Sequence, residues 1–411
     1  PIYRTYVDPV TGTVAEADRQ AVAAAVDAAE APATLARRLL LDEPGHAELV
    51  RRFQQTTPAI MAKGVEDTAM YRSVRLLASN EVGADPGRFS LSIDAFHARC
   101  LQRADATPLG LLAATTHDTK RSADSRARIG ALASMAPEFD RLMRLWFTLS
   151  EMVDQRLAEG GAPGTGPTGR ELWLLIQTLL GSWPITRDRL DEYLVKALRE
   201  AGETTSWQDP DRDHEARIVL HARTLTALPA FEAEFLVFAE QVAAAGERAS
   251  VGQTLLRATT PGVCDIYQGD ESWFLSLVDP DNRRTTDWRR RFRLLERVRS
   301  GAEPTRVTAK LHVLHHALLL RARRPESFVP AASYVPLPAG SRTVAFHRND
   351  DVLVVVAIAD DPGARVATPG GVWRDALGSG GPAGGHERRL PSDATVAEVI
   401  GPWGVGLWER R

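Results

Sequence analysis

Residues 109–128, Leu-Gly-Leu-Leu-Ala-Ala-Thr-Thr-His-Asp-Thr-Lys-Arg-Ser-Ala-Asp-Ser-Arg-Ala-Arg, set an apolar run directly against a dense polar cluster. His117, Asp118, Lys120 and Arg121 bring an imidazole, a carboxylate and two cations together in one short stretch. Leu109 to Ala114 has the length and near-continuous apolarity of a strand buried on both faces of a parallel sheet. Ser122 is placed to cap a helix beginning near Ala123. The polar cluster is therefore expected at a strand's carboxyl end, the edge where ligand sites of α/β barrels and open sheets gather. The same residues also read as a satisfied turn followed by a solvated helix start. Local pattern leaves both readings open.

The elements that must position this cluster come next. Residues 1–7 read as a short strand, and Ala-rich segments at 18–41 and 46–56 read as helices broken by Pro32, Pro44 and Pro58. Residues 53–72 mix apolar side chains with Lys63, Gly64, Glu66 and Asp67, a poor recipe for an amphipathic helix. They read as a loop leading into a helix whose first turn carries acids. Asn80-Glu81-Val82-Gly83 reads as a turn, and Ile93 to Arg103 as a helix with His97 packed inside. Residues 129–258 read almost wholly as helices, interrupted by the Gly/Pro-rich loop 160–167. A second apolar strand, 262–267, runs into Gln268-Gly269-Asp270-Glu271 and Asp279-Pro280-Asp281-Asn282-Arg283-Arg284. Two apolar strands ending in polar residues and followed by helix fit a parallel α/β sheet or barrel. Helices are expected at 286–300 and 305–323, with Arg289 to Arg299 as a solvated face. From Ser333 short β-rich runs (343–347, 352–359, 396–400, 405–408) alternate with loops such as Gly378 to Gly385, the pattern of a small antiparallel domain.

Composition narrows the function classes. A chain of 411 residues exceeds the usual single core, so two or three domains are expected. A formal charge of −3 gives no overall attraction for nucleic acid or anionic lipid. Cys100 and Cys264, far apart in sequence, argue against a disulfide framework and favour a reducing cytoplasm. The longest apolar stretch, Val352 to Ala359, is too short to span a bilayer, and the first residues lack a signal pattern. The chain opens Pro1-Ile-Tyr without an initiator methionine, so a processed, cleaved or truncated start is expected. No Walker lysine loop, dinucleotide glycine fingerprint or Gly-x-Ser-x-Gly elbow is present. His312, His315 and His316 stand at helical spacing but lack the glutamate of the zincin pattern, so neither a metal nor a cofactor is expected.

Set side by side, these fragments resemble the maltooligosyltrehalose synthase family of the α-amylase-like glycoside hydrolase clan. The resemblance is carried by Phe53 to Tyr71, Asn80-Glu81-Val82-Gly83, Thr116-His117-Asp118-Thr119-Lys120-Arg121-Ser122, Pro261-Gly262-Val263 with Tyr267-Gln268-Gly269, and Leu277 to Arg284. His-Asp after a strand occurs throughout the clan. Met-Ala-Lys-Gly-Val-Glu-Asp-Thr and His-Asp-Thr-Lys-Arg are much more specific to the synthases. Ala84, Ala123, Cys264 and Asp270 depart from the family pattern.

The resemblance implies the C-terminal part of a (β/α)8 TIM-type barrel with a large helical insertion, followed by a small antiparallel β-domain. Residues 1–128 would form the barrel portion ending in the His-Asp motif, 129–258 the insertion, 259–325 the last barrel strand and helices, and 326–411 the β-domain. The implied reaction is an intramolecular transglucosylation, in which the reducing-end α-1,4 bond of a maltooligosaccharide becomes an α,α-1,1 bond. Asp118 matches the family's transition-state-stabilising carboxylate. His117, Lys120, Lys63, Arg121, Glu66 and Asp67 match substrate-binding positions. The nucleophile and general acid, carboxyl groups about 5 Å apart in a retaining enzyme, match nothing before Asp118 and are expected upstream of Pro1. A maltooligosyltrehalose trehalohydrolase is the implied functional partner. An amylase-type hydrolase of the same clan and a non-catalytic carbohydrate-binding piece remain as alternatives.

Overall fold

The computed structural model describes residues 3–378 and 387–411. The expected loop at Gly378 to Gly385 lies outside them except for Gly378. The chain divides into two compact units, residues 1–73 with 196–212, and residues 74–195 with 213–411.

The first unit begins with helices Glu16–Ala28, Ala33–Leu39 and Ala47–Met61. Residues 3–7 form no strand; the pairing nearby is an isolated bridge between Asp8 and Thr13. These residues are instead held through side chains. Thr5 donates from Oγ1 to Gln54 Oε1 at 3.0 Å, and Gln54 Nε2 donates to the Val7 carbonyl at 2.9 Å. Pro58 does not end the helix as expected: Ala47–Met61 runs through it and continues as a π-helix, Ala62–Ala69, into Met70–Arg72. Beyond Pro58 the helical course is held by tertiary contacts: Glu66 accepts from Tyr3 Oη, and Met70 and Tyr71 are buried. Arg72 Nε donates to the Ala201 carbonyl at 2.6 Å, which ties residues 196–212 into the same unit.

The second unit has a helical body and a sheet. Its helices include Ala123–Ala131, Ala136–Glu159, Gly169–Ser182 and Pro229–Thr259, and between the second and the fourth Trp146 packs against Phe231, Phe235 and Phe238. Helix Ala123–Ala131 lies close to two neighbours because they carry glycine. A Cβ on Gly246 would stand 2.6 Å from Arg128 Cα, and one on Gly181 would stand 2.7 Å from Ile129 side-chain atoms. The helix following the His-Asp cluster is thus wedged in place.

The two apolar strands pair in parallel, Leu111 with Val263 and Leu112 with Cys264. They are shorter than the apolar runs suggest, being Leu111–Leu112 and Val263–Cys264. Leu109 and Leu111 are 67% and 72% exposed, so burial on both faces is not what this chain shows. Among the described residues each strand has only the other as its ladder partner, and no further strand covers Leu109 and Leu111.

At the C-terminal end six strands form an antiparallel sheet in the order Tyr334–Pro336, Thr343–Arg348, Val352–Ala357, Val405–Arg410, Gly371–Asp375, Glu387–Leu390. Helices Pro229–Thr259 and Ala309–Arg323 cover one face through Val251, Leu255, Val313 and Leu320. Val366, Ala394, Val396 and Val399 cover the other. Coverage of both faces explains why Val352–Ala357 is apolar without alternation. The expected strand at 396–400 is a helix, Val396–Val399. Thr395 and Glu398 make a reciprocal capping box there, which overrides the β preference of valine. Helix Trp288–Arg299 exposes most of its arginines, whereas Arg291 turns back to Glu271 at 2.6 Å. Cys100 and Cys264 are both free. No helix among the described residues is long and apolar enough to cross a membrane.

Candidate active site

Strand Leu111–Leu112 delivers the chain into the polar loop 115–121, and Ser122 takes it out again. Ser122 Oγ accepts from the Ser125 amide at 3.4 Å, forming the expected N-cap of helix Ala123–Ala131. The same oxygen accepts from the Ser276 amide at 3.1 Å and donates to the Phe274 carbonyl. Arg121 and Leu277 form an isolated bridge. The polar segments after the two parallel strands are therefore stitched together.

Within the loop, Thr119 Oγ1 donates to the Thr116 carbonyl at 3.1 Å, and the Asp118 amide donates to Thr116 Oγ1 at 3.2 Å. Asn282, wholly buried, directs Nδ2 at the carbonyls of Thr116, His117 and Thr119, at 3.3, 3.1 and 3.4 Å. Arg283 donates to the His117 carbonyl from Nε and Nη2, at 3.4 and 3.3 Å. The segment carrying Asn282 is itself anchored. Arg189 forks onto Asp281, Nε to Oδ1 at 2.7 Å and Nη2 to Oδ2 at 2.9 Å, and the Leu277 amide adds a bond of 2.7 Å to Oδ2. Burial opposes charge on Asp281, but these donors outweigh it and hold the carboxyl below the ordinary carboxylate range.

The result is a loop whose backbone is tied down while the side chains of His117 and Asp118 stay exposed. An exposed carboxylate on a backbone held this way has a fixed point of attachment and open access, as electrostatic work on a bound ligand needs. Lys120 and Arg121 are placed differently, only 3% and 2% exposed. Arg121 Nη2 donates to Tyr193 Oη at 2.5 Å with its guanidinium over that ring.

The remaining candidates stand on the π-helix of the first unit. Lys63 is exposed and pairs with Asp67 at 2.6 Å, whereas Glu66 is buried and accepts from Tyr3 Oη. Thr68 Oγ1 donates to the Lys63 carbonyl at 2.9 Å. Single-turn π segments inside α-helices are frequent at functional sites. The loop expected from this composition is not found, because the chain stays helical from Ala47 to Arg72 and absorbs the irregular pattern as a π-helix.

Sequence reasoning missed Glu81 and Asn282, which appeared only as parts of a turn and a motif. Glu81 is buried and its carboxylate accepts from the amides of Lys120 at 2.8 Å and Arg121 at 3.2 Å. No spacing rule connects a turn glutamate to a loop 39 residues later. Below the site, Lys310 Nζ lies 2.9 Å from both Asp124 oxygens and from Asp270 Oδ1, and Arg257 takes Asp270 Oδ2 at 2.7 Å. Asp270, which departs from the family pattern, thus belongs to a buried ion network. His312 packs with Nε2 2.7 Å from the Leu377 carbonyl, and its ring centroid lies 4.4 Å from that of His316. Among the described residues no group of three or more His, Cys, Asp or Glu side chains is placed to hold a metal ion.

No family model matches the chain. A curated Mycobacterium tuberculosis protein bearing the name maltooligosyl trehalose synthase is 38% identical over 373 residues, 85% of this chain and 45% of its own length. The solved maltooligosyltrehalose synthase from Arthrobacter ramosus superposes with a TM-score of 0.83 at 35% identity, covering 100% of this chain and 52% of that one. Its S44P mutant gives 0.82 at 36% identity, with the same coverage. The chain spans about half the length of the relatives it matches. The resemblance read from the motifs is thereby borne out: this chain is a homologue of the maltooligosyltrehalose synthases.

Proposed function

We propose that this chain takes part in an intramolecular transglucosylation that moves the reducing-end glucose of a maltooligosaccharide from an α-1,4 to an α,α-1,1 bond. Asp118 serves as the carboxylate that stabilises the transition state, holding hydroxyls of the sugar on which positive charge develops. The observation that carries this reading is the placement of Asp118, exposed on an immobilised backbone just beyond a parallel strand, in a homologue of the synthases.

His117 lies beside it as a hydroxyl partner, and Lys120 and Arg121 shape the floor of the same loop. Lys63, with Asp67 and Glu66 on the π-helix, binds the released glucose while it turns over. The nucleophile and the general acid come from protein beyond these 411 residues, so the isolated chain forms no product. The parallel pair Leu111–Leu112 and Val263–Cys264 stands for the last strands of a (β/α)8 barrel. The exposed faces of Leu109 and Leu111 are the kind of surface that other barrel strands cover. A cytoplasmic setting, alongside a trehalohydrolase that consumes the product, completes the proposal.

Maltopentaose separates the transglucosylation from simple hydrolysis. The full-length protein should give a non-reducing product of unchanged mass. Glucose with shortened chains as the main product would assign it to the hydrolases instead, and no turnover at all would leave carbohydrate binding as its role.

A further inference from the structure

The loop that bears Asp118 is held by side chains that never reach its exposed face. Glu81 accepts two consecutive amides, those of Lys120 and Arg121, at 2.8 and 3.2 Å. Its Oε2 also takes Arg126 Nη1 at 2.8 Å. Arg126 closes the loop at its neck. Nη1 donates to the Arg121 carbonyl at 2.7 Å and Nη2 to the Ala114 carbonyl, so one planar guanidinium spans the residues at which the loop begins and ends. On the other side Asn282 supplies Nδ2 to the carbonyls of Thr116, His117 and Thr119, and its Oδ1 has no partner among the described residues. Donors and acceptors of one short backbone are thus satisfied from both sides by the buried Glu81 and Asn282 and the partly buried Arg126. A loop would ordinarily leave these groups to water.

We propose that Glu81, Arg126 and Asn282 are positioning residues that act through Asp118, fixing the carboxylate where the reacting sugar needs it without touching substrate themselves. This rests on the role proposed for Asp118. Three features separate it from ordinary loop packing. The clamp bonds backbone atoms rather than side chains, so it sets where Asp118 sits instead of what it touches. Glu81 and Arg126 form an ion pair at 2.8 Å that is mostly buried, a costly arrangement unless geometry is its purpose. The clamped segment includes His117 and ends at Arg121, leaving the exposed pair at its crest. Displacing a reacting group by about 1 Å costs on the order of 100-fold in rate.

The test is a double-mutant cycle between Glu81→Gln and Asp118→Asn in the full-length protein, with kcat and KM measured on maltopentaose. Glu81→Gln keeps one carbonyl oxygen but turns an amino group toward the backbone donors. It should lower kcat about 100-fold while KM changes less than about threefold, and amide exchange at Lys120 and Arg121 should accelerate. On the Asp118→Asn background the same change should have almost no further effect, because what it positions is gone. A purely structural role would lower the rate by the same factor in both backgrounds, and that result overturns the inference, as does a wild-type kcat for Glu81→Gln. Should Glu81→Gln lose its cooperative unfolding transition, Asn282→Leu, close in shape and lacking the donor, replaces it with the same two outcomes. If Asp118→Asn retains more than about a tenth of the turnover, the role of Asp118 fails and this inference with it. Loss of activity in Asp118→Asn together with additivity at Glu81 rejects the clamp alone.

Discussion

Replacing Lys310 by methionine tests whether the ion network beneath the site is a structural necessity. Lys310, Asp124 and Asp270 have side chains 1%, 2% and 0% exposed, and with Arg257 they make two cations facing two anions. Methionine fills much of the same volume but removes one positive charge. Asp270 keeps Arg257, whereas among the described residues Asp124 keeps the Phe274 amide at 2.7 Å as its one hydrogen-bond donor. Burial already pushes the Asp124 carboxyl up with Lys310 beside it, so the stranded group must either stay charged in a dry site or take up a proton. Breaking a buried pair in this way costs about 3–5 kcal/mol. The sign with pH follows. A carboxyl whose folded pKa lies above its unfolded value is most stabilising when protonated, so the variant should lose more stability at pH 8 than at pH 5.5. Urea unfolding at both pH values, followed by tryptophan fluorescence, reads this directly. Adding Asp124→Asn restores charge balance and should recover most of the loss. A Lys310→Met penalty below about 1 kcal/mol, equal at both pH values, would refute the reasoning.

His221 is buried with Nε2 2.9 Å from Ser150 Oγ, and burial pulls its pKa down to about 4 from 6.5. The unfolded chain therefore takes up a proton that the folded one refuses as pH falls from about 6.5 to about 4, which removes about 3 kcal/mol over that window. The stability–pH profile of His221→Gln should be flatter there, and an unchanged slope would reject the assignment. Lys63→Ala should raise the ratio of hydrolysis to rearrangement on maltopentaose, since free glucose would be held less firmly while water competes for the intermediate. An unchanged ratio counts against a sugar-binding role for Lys63.

What was legible in the sequence followed physical periodicity and capping. The helical course of residues 129–258, the Ser122 cap and the runs read at 343–347 and 352–359, found as strands Thr343–Arg348 and Val352–Ala357, each declare themselves through apolar spacing or a side-chain acceptor at the right position. The misreadings have equally local causes. Valines at 396 and 399 suggest a strand, but Thr395 and Glu398 cap a helix. Pro58 suggests a break, yet the residues after it are held by Glu66 on Tyr3 and by the burial of Met70 and Tyr71. The apolar run 109–114 promised a strand buried on both faces, but its only ladder partner among the described residues is two residues long. His117 and Asp118 could be singled out because an apolar run ends on them. Glu81, Arg126 and Asn282 could not, because the loop atoms they hold are backbone atoms, which leave no mark in a sequence.

Turnover of Asp118→Asn in the full-length protein tests the central claim most directly. The substitution keeps shape and the Asp118 backbone but removes the charge that stabilises the oxocarbenium-like transition state. The account predicts a loss of several orders of magnitude in maltopentaose conversion, with an unchanged thermal transition and substrate still bound. A variant that folds normally and keeps more than about a tenth of its activity, a barrier change of only ~1.4 kcal/mol, would contradict it.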